Sequence, residues 1–340
     1  MSRSQFLQPA EWAEHRACWL AFPYAEDLWL DQLLPAQQEF RALVTAIAES
    51  EQVKVLVPNP EVHQYAQASL PAGVELLVCP YGDIWMRDIA PIFVHDRPKG
   101  TVVAQTFAWN GWGHKYLLAG DGDVSRRVAE LAGLPSHHFP LVLEGGAIEV
   151  DGLGTGLTTK QCLLNPNRNP YLTQTEIEGL LQLALGIDKL LWLEEGLRND
   201  HTDGHIDTIA RFVGPHQVMC MLPDGPSDPN YRVLWDIYAQ LQGLRDVLGQ
   251  PLQVIPIPSP HTVVNSEGEL LPASYLNFYI SNDSVIVPIY GSANDQRAVA
   301  AIAKCFSNRK VIGLPARHIL SGGGAFHCIT QQQPVPQGLC

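Results

Sequence analysis

The stretch NDHTDGHIDTIARFV, residues 199–213, joins a polar segment to a short apolar run. Ionisable side chains occupy every second position of its polar part: His201, Asp203, His205 and Asp207. In an extended chain, side chains two residues apart share a face, so this spacing predicts that the four side chains point into one pocket. The apolar part, TIARFV, is typical of a buried strand.

Three kinds of site fit this polar segment. His201 and His205 together with a carboxylate would form a metal site, although neither a helical HExxH motif nor a CxxC pair accompanies them. An acid/base site would use one histidine to move a proton and one aspartate to hold a positive group. A polar loop before a strand would use the same side chains to cap backbone donors. The segment alone leaves all three open.

Runs like TIARFV recur along the chain, and helical patterns lie between them. Helix-containing units return roughly every 50 to 60 residues, which is typical of repeated supersecondary units, although an ordinary α/β sandwich fits the spacing equally. No linker of Pro, Gly and Ser divides the chain, so we predict one domain of repeated α/β units. Strands are predicted at 53–58, 74–80, 89–94, 101–107, 147–150, 208–213, 218–222, 252–258, 284–290 and 310–315. Helices are predicted at 35–50, 123–134, 172–185, 230–244 and 295–306.

The composition excludes several classes of protein. The chain has 340 residues, is 46% hydrophobic and carries a formal net charge of −13. Such an acidic chain lacks the surplus lysine and arginine that nucleic acids and anionic membranes require. No run of about 18 apolar residues is present, which argues against a membrane-spanning helix. The seven cysteines are scattered and form no CxxC pair, so we expect reduced thiols and a cytoplasmic location.

Two further stretches carry carboxylates in positions suited to a ligand. In GDIWMRDIAPIFV, residues 82–94, Trp85 and Asp88 lie near a predicted strand end. A carboxylate beside an aromatic face can accept paired N–H bonds from a stacked guanidinium; the alternative is an ion pair of Asp88 with Arg87 at a surface turn. In LEGGAIEVDGLGTG, Glu144 precedes two glycines that allow a tight turn, and the following DGLGTG lacks the features of a phosphate loop.

The fourth stretch is LSGGGAFHCITQQQP, residues 320–334, in which three glycines precede Cys328 by a short interval. Glycines allow a loop to bring a thiol close to a ligand, and a thiolate is a competent nucleophile at neutral pH. The other cysteines, including Cys340 at the end of the chain, are interpreted as structural or incidental. A nucleophile, a proton shuttle and carboxylates for a cation therefore form a coherent catalytic set.

The combined motifs resemble a known family. The matching stretches are PAEWAEHRACWLAFP, WMRD, NGWGHKY, LEGGAIE, EEGLRNDHTDGHIDTIARF and GGGAFHCITQQQP. They resemble, in family order over essentially the whole chain, the agmatine deiminase and bacterial-type peptidylarginine deiminase family of the guanidine-modifying pentein superfamily. The resemblance implies a five-bladed, pseudo-symmetric α/β propeller of repeated ββαβ-type units, with residues 1–340 as a single catalytic domain.

The resemblance also implies catalytic roles for individual positions. Cys328 matches the nucleophile, His205 matches the general acid/base, and Asp88 and Asp207 match the carboxylates that hold the guanidinium. Glu144 matches the acidic residue of the EGG motif, which supports the site. No metal ion lies between His205 and Asp207 in this interpretation, and no cofactor is needed.

Three further residues are expected at the substrate. Trp85 is expected to line the site, and His201 and Asp203 are expected to contact the far end of the substrate or to tune His205. The implied reaction converts agmatine and water to N-carbamoylputrescine and ammonia through a covalent thiouronium on Cys328, in polyamine biosynthesis towards putrescine. Deimination of free or peptidyl arginine is the alternative, and a non-catalytic polyamine- or arginine-binding module is an alternative from another class. A homodimer is a family-level expectation.

Overall fold

The computed structural model describes residues 4–337, so Cys340 lies outside the described residues. The strands are β1 (Phe6–Leu7), β2 (His15–Ala21), β3 (Gln52–Val57), β4 (Glu75–Val78), β5 (Ile92–Asp96), β6 (Thr101–Ala108), β7 (Ser136–Val142), β8 (Glu149–Val150), β9 (Thr155–Thr159), β10 (Lys189–Leu193), β11 (Ala210–Gly214), β12 (Gln217–Leu222), β13 (Gln253–Pro258), β14 (Tyr279–Ile280), β15 (Ser284–Ile289), β16 (Lys310–Pro315) and β17 (Gln331–Pro334).

The helices lie between these strands and are mostly short. They are α1 (Glu26–Trp29), α2 (Leu33–Ile47), α3 (Pro60–Ser69), α4 (Met86–Ile89), α5 (Gly111–His114), α6 (Asp121–Leu131), α7 (Lys160–Leu163), α8 (Gln174–Leu185), α9 (Tyr231–Gly243), α10 (Asp295–Ala303) and α11 (Arg317–Leu320). Single 3₁₀ turns occur at Leu30–Gln32, Gly145–Ala147 and Ile206–Thr208. In the part of the chain that the structure describes, no helix combines the length and the apolar character needed to cross a membrane.

The described strands form five sheets that share one construction. Their strand orders are β1-β5-β6-β7 (sheet 1), β8-β9-β10 (sheet 2), β11-β12-β13 (sheet 3), β14-β15-β16 (sheet 4) and β17-β2-β3-β4 (sheet 5). In each sheet an antiparallel pair is followed by a helical crossover to a parallel strand, as in β11, β12, α9 and β13. The repeated unit is therefore ββαβ, as the sequence predicts.

Contacts between neighbouring sheets close a ring. Helix α8 of sheet 2 packs against sheet 1, α9 of sheet 3 against sheet 2, and α10 of sheet 4 against sheet 3. Helix α2 of sheet 5 packs against β15 and β16 of sheet 4, and β17 lies beside β5 of sheet 1. Strand β17 pairs antiparallel with β2, so the two ends of the described chain meet in sheet 5. The five-bladed α/β propeller is confirmed.

Helix α2 shows how an amphipathic pattern builds this ring. Its residues Ala36, Phe40, Leu43, Val44 and Ile47 recur at helical spacing and are completely buried. That stripe lies against strands of both sheet 4 and sheet 5, because a helix with one apolar face must cover a neighbouring layer. The burial of these side chains therefore joins two blades as well as stabilising one.

The predicted helices and strands are largely confirmed, but several elements were not predicted. All five predicted helices overlap α2, α6, α8, α9 and α10. Strands β1, β2, β7, β9, β10, β14 and β17, helix α3 and the five single-turn helices α1, α4, α5, α7 and α11 were not predicted. Strand β17 has the sequence QQQP, and its buried polar side chains are satisfied by long-range partners: Gln331 accepts from Arg87 Nη1 at 2.9 Å, and Gln333 accepts from Trp19 Nε1 at 2.9 Å. A polar strand of this kind has no local hydrophobic signal.

The bond between Trp19 and Gln333 gives a test of ring closure. We expect Gln333→Leu to lower the free energy of unfolding by about 1–3 kcal/mol, because the buried indole N–H of Trp19 loses its acceptor. Urea denaturation measures the change. Gln253→Leu, at an exposed position of β13, is the matched control and should change stability by less than about 0.5 kcal/mol. Equal stabilities of the two variants would contradict the prediction.

Candidate active site

The loop before the first strand of each repeated unit carries a polar side chain. Asp88 precedes β5, Glu144 precedes β8, Asp207 precedes β11, Asn277 precedes β14 and Cys328 precedes β17. All five side chains are buried. Because the units are arranged in a ring, equivalent loops lie on the same face and converge near the centre. Asp88 and Cys328 line one cavity, and Asp207 and Asn277 lie directly behind Cys328.

Cys328 lies at the base of this cavity with two polar neighbours. Asn277 Nδ2 donates to Cys328 Sγ at 3.1 Å, and Sγ lies 3.7 Å from Asp207 Oδ2. Burial raises the pKa of the Cys328 thiol well above its ordinary value, and the negative charges of Asp207 and Asp88 raise it further. The site without a cation therefore favours the protonated thiol.

Asp207 remains an anion in this buried position. Burial by itself would raise the pKa of Asp207, but the hydrogen bond and the charge of His327 hold that pKa below its ordinary value. His327 Nδ1 lies 2.7 Å from Asp207 Oδ2, and Asn277 Nδ2 donates to the same oxygen at 3.3 Å. The other oxygen, Oδ1, has no hydrogen-bond partner among the described residues. It is available to accept an N–H group from a ligand.

Asp88 is the second carboxyl at the cavity. Trp112 Nε1 donates to Asp88 Oδ2 at 2.9 Å, and the Gly146 backbone N–H donates to Oδ1 at 3.0 Å. Burial raises the pKa of Asp88 well above its ordinary value, with further contributions from the charges of Asp207 and Glu144. A cation bound between Asp88 and Asp207 would stabilise both carboxylates, since opposite charge favours the ionised form.

His205 presents a neutral imidazole to the same space. Burial lowers the pKa of His205 to about 3, against the opposing charge of Asp207. Its Nδ1 lies 3.8 Å from Asp88 Oδ1, and neither ring nitrogen has a hydrogen-bond partner among the described residues. A buried, neutral and unpartnered imidazole is suited to receive a proton from a reacting group.

Gly146 shows how closely these groups converge. A Cβ atom at this position would lie 2.6 Å from His205 Nδ1, 3.0 Å from Asp88 Oδ1 and 3.1 Å from Asp207 Oδ2. The three ionisable groups therefore surround one backbone atom of the EGG motif. The absence of a side chain at Gly146 is required for their approach.

The opening segment reaches this arrangement through turns, so the prediction of an extended segment with alternating side chains is wrong. Asn199, Asp203 and Gly204 have positive φ angles of 60°, 65° and 83°, and a 3₁₀ turn follows at Ile206–Thr208. Asparagine, aspartate and glycine tolerate this conformation better than other residues. The turn directs His205 and Asp207 to the same point beside Gly146, whereas His201 lines the cavity and Asp203 lies among basic side chains.

Asp203 is held by basic side chains behind the cavity. Its Oδ2 accepts from Arg168 Nη1 at 2.8 Å and from Asn167 Nδ2 at 3.0 Å, and its Oδ1 lies 2.6 Å from Lys115 Nζ. Arg168 Nε also donates to Glu144 Oε1 at 2.7 Å. Glu144 and Asp203 are thus joined through one guanidinium. Contact of Asp203 with a substrate stays a prediction, and the structure gives this carboxylate a bracing position.

The cavity itself has a volume of about 270 Å³ and an aromatic wall. Trp85 packs on Trp29 with ring centroids 6.2 Å apart, and both indoles donate to Asp83. At the rim, His201 Nδ1 lies 3.1 Å from the Tyr116 hydroxyl. The lining residues are Leu28, Trp29, Asp83, Trp85, Asp88, Trp112, Tyr116, Leu118, His201, Thr202, Ser321, Gly322, Gly323, Gly324 and Cys328.

One group of side chains has the donor types of a metal site. Glu144, Cys162 and His205 each place one ligand atom within 4.8 Å of the others. However, the Arg168 guanidinium is bonded to Glu144, and burial raises the pKa of the Cys162 thiol well above its ordinary value. The adjacent positive charge and the protonated thiol both oppose a divalent cation.

Sequence reasoning missed three contributors to the site. Asn277 contacts Cys328, Gly146 allows the close approach, and His327 contacts Asp207. Asn277 lies before β14, a two-residue strand that is too short to show a strand periodicity. The signal that could have identified Asn277 is its equivalence to Asp88, Glu144, Asp207 and Cys328 within the repeat.

Comparisons with known proteins agree with this arrangement. Residues 7–334 match the model of the Porphyromonas-type peptidyl-arginine deiminase family. The chain is 38% identical to the agmatine deiminase of Ectopseudomonas mendocina, over 98% of this chain and 96% of that protein. The structure of the Enterococcus faecalis agmatine deiminase has a TM-score of 0.93 and 32% identity, covering 98% of this chain and 96% of that chain.

A second solved structure is that of a cysteine-to-serine variant of C. jejuni agmatine deiminase with substrate bound. Its TM-score is 0.88 and its identity 30%, covering 98% of this chain and 97% of that chain. The family match and these full-length relatives confirm the resemblance that the motifs indicate. This chain belongs to the Porphyromonas-type peptidyl-arginine deiminase family.

Proposed function

We propose that this protein is a cysteine-dependent agmatine deiminase, which converts agmatine and water to N-carbamoylputrescine and ammonia. The observation that carries the proposal is the buried thiol of Cys328, 3.7 Å from the anionic Asp207, in a cavity that also exposes Asp88 and borders an unpartnered His205. Full-length relatives named agmatine deiminases support the choice of substrate.

The first step is capture of the guanidinium. Asp207 Oδ1 and the oxygens of Asp88 accept N–H groups of the planar cation, and paired carboxylates fix its plane. Bound in this way, the central carbon lies near Cys328 Sγ, which replaces a bimolecular encounter by an oriented reaction. The positive charge of the substrate also offsets the two carboxylates that raise the pKa of the thiol.

The second step forms the covalent intermediate. The thiol proton passes to the neutral imidazole of His205, and the sulfur of Cys328 attacks the central carbon to form a tetrahedral adduct. His205 then protonates the departing nitrogen, the C–N bond breaks and ammonia leaves. An S-alkylthiouronium remains on Cys328. The starting state required is a protonated thiol beside a neutral imidazole, in agreement with the pKa shifts of both groups.

The third step regenerates the enzyme. His205, again neutral, takes a proton from a water molecule, whose oxygen attacks the thiouronium carbon. The C–S bond of the tetrahedral adduct breaks, Cys328 regains its proton from His205, and the substituted urea leaves after its hydroxyl proton passes to solvent, where it converts ammonia to ammonium. Each cycle consumes one water molecule and releases one ammonia molecule, and no redox change occurs.

The cavity wall favours a substrate with a cationic tail. Within residues 4–337, the lining includes the carboxyls of Asp83 and Asp88 and contains neither lysine nor arginine. Agmatine ends in an ammonium group, whereas free arginine carries a carboxylate that would require a basic partner. The aromatic wall of Trp29 and Trp85 suits both a methylene chain and a cation. Glu144, Asp203 and Arg168 brace the histidine side of the site.

We also place the whole chain in one catalytic domain and in the cytoplasm. Both ends of the described chain pair in sheet 5, so the ring is complete only when β17 and β2 are present together. The cysteines within residues 4–337 are all free thiols, which suits a reducing compartment.

Product analysis tests the proposal directly. We expect ammonia and the substituted urea from agmatine, and little or none from arginine or an arginyl peptide, because the cavity lacks a basic partner for carboxylate. Cys328→Ala should abolish turnover, since the covalent step requires sulfur. Mass spectrometry of the three reaction mixtures gives the products. Unchanged turnover by Cys328→Ala would remove this residue from the mechanism, and faster turnover of arginine would change the substrate.

Gly146→Ala tests the convergence of the three ionisable groups. We expect kcat/KM on agmatine to fall by about 100-fold, because the new methyl group displaces His205 and the carboxyls from their positions. Gly179→Ala, within α8 and with no heavy atom within 4 Å of the added Cβ, is the matched control. It should keep full activity and gain roughly 0.5–1 kcal/mol in unfolding free energy. Equal activities of the two variants would contradict the prediction.

Alkylation of Cys328 by iodoacetamide tests its ionisation. The thiolate is the reactive form, and the raised pKa means that the rate in the free enzyme should increase about tenfold per pH unit from pH 7 upwards without a plateau. Asp207→Asn removes a charge that raises this pKa, so it should increase the rate at pH 7 although it prevents turnover. Mass spectrometry of the peptide containing Cys328 follows the reaction. A plateau near pH 7 in the free wild-type enzyme would show a stable thiolate and contradict the prediction.

A further inference from the structure

His327, which directly precedes the nucleophile, lies between two carboxyl groups. Its Nδ1 is 2.7 Å from Asp207 Oδ2, and its Nε2 is 2.8 Å from Glu11 Oε2. All three side chains are buried, so water does not compete for these bonds. The mechanism above uses neither His327 nor Glu11, although the contact with Asp207 places them directly behind the reacting groups.

Hydrogen bonds at both ring nitrogens require an extra proton. A neutral imidazole carries one N–H, so one of its nitrogens would direct a lone pair at a carboxylate oxygen less than 3 Å away. Such a contact between two acceptors is repulsive. Two protons on the ring, or one proton on the ring and one on a carboxyl, make both contacts attractive. Glu11, His327 and Asp207 therefore share two protons.

The surroundings hold both carboxyls in the anionic form. Arg211 Nη2 donates to Glu11 Oε2 at 2.7 Å, and the backbone N–H of Ile280 donates to Glu11 Oε1 at 2.8 Å. Although burial opposes it, the charges of Arg211 and His327 hold the pKa of Glu11 well below its ordinary value. The pKa of Asp207 is also below its ordinary value, so the ring is the most basic member of the group.

Other charged groups also face His327. Arg87 Nε donates to the His327 carbonyl at 3.3 Å, and Arg87 Nη2 lies 3.9 Å from Glu11 Oε2. Burial and the charges of Arg211 and Arg87 hold the pKa of His327 below its ordinary value, against the charge of Glu11 and the bond to Asp207, which raise it. Arg211 Nε is in turn neutralised by Glu149 at 3.0 Å. Both ring nitrogens nevertheless lie less than 3 Å from a carboxylate oxygen, and this geometry requires a proton at each contact.

We propose that His327, supported by Glu11, is a positioning residue that carries protons on both ring nitrogens and thereby holds Asp207 as an anion with Oδ1 free for the substrate. This inference rests on the proposed function, because Asp207 is the group that receives the guanidinium. His327 occupies Oδ2 of Asp207, so the carboxylate neither rotates nor takes the proton of Cys328. Glu11 thus affects Asp207, which lies beside Cys328, by way of the His327 imidazole.

The variant His327→Gln tests this role. A glutamine amide still donates to Asp207 but carries no charge, so the pKa of Asp207 should rise. Since only anionic Asp207 binds the guanidinium, the acidic limb of the kcat/KM profile should move about one to three pH units higher. We expect KM for agmatine to rise about tenfold at pH 7, with a smaller change in kcat, because binding depends on the charge of Asp207.

A second variant and a matched control separate this role from general stabilisation. Glu11→Gln removes the distant carboxylate and keeps the bond between His327 and Asp207, so its profile should move in the same direction by a smaller amount. Glu51→Gln disrupts another buried histidine–glutamate pair, in which His15 Nδ1 lies 3.1 Å from Glu51 Oε1. Glu51→Gln should lower thermal stability and leave the pH profile of kcat/KM unchanged.

The protonation of the ring is measured independently by NMR of wild-type enzyme with ¹⁵N-labelled histidine. We expect one imidazole with both nitrogens protonated at pH 7, whose signals disappear in Glu11→Gln or His327→Gln. A singly protonated ring, or pH profiles of both variants that match wild type, would overturn the inference. If wild type turns over arginine rather than agmatine, the proposed function fails, and the NMR experiment still decides the state of His327.

Discussion

Crowding of negative charge in a buried cavity is the constraint on which this site depends. The carboxyls of Asp88, Glu144 and Asp207 lie within one small region, and burial raises the pKa values of Asp88 and Glu144. Burial and the charges of Asp207 and Asp88 likewise raise the pKa of the Cys328 thiol. A bound planar cation lowers the pKa values of both the carboxyls and the thiol, because its positive charge stabilises the carboxylates and the thiolate. Binding and activation of the nucleophile are therefore coupled by electrostatics.

Closure of the ring brings these groups together from distant parts of the chain. The nucleophile stands directly before β17, the strand that pairs with β2 near the other end of the chain. Glu11 contacts His327 across a separation of 316 residues, and Asp207 contacts the same imidazole across 120 residues. The site is therefore completed only when the last blade closes. Such long-range contacts tie the chemistry of Cys328 to the integrity of the whole fold.

The local backbone conformation before β11 determines the positions of the site's side chains as much as closure of the ring does. The segment before β11 uses positive φ angles at Asn199, Asp203 and Gly204 to turn the chain, and the basic side chains of Lys115 and Arg168 hold Asp203 in place. The turn separates Asp203 from the cavity and brings His205 and Asp207 together with Asp88 around Gly146. Four ionisable residues with regular spacing thus acquire different surroundings.

The sequence alone determined the α/β class, the repeated units, the family and the identities of the ionisable residues. Helices with a clear apolar stripe, such as α2, were predictable because their signal is local. Only the tertiary structure decided which groups share protons, because pKa values depend on burial and on neighbours far along the chain. His327, Asn277 and Gly146 had no local signal, since their importance lies in distances to Asp207, Cys328 and His205. A polar strand such as β17 likewise became visible only through its partners in the closed ring.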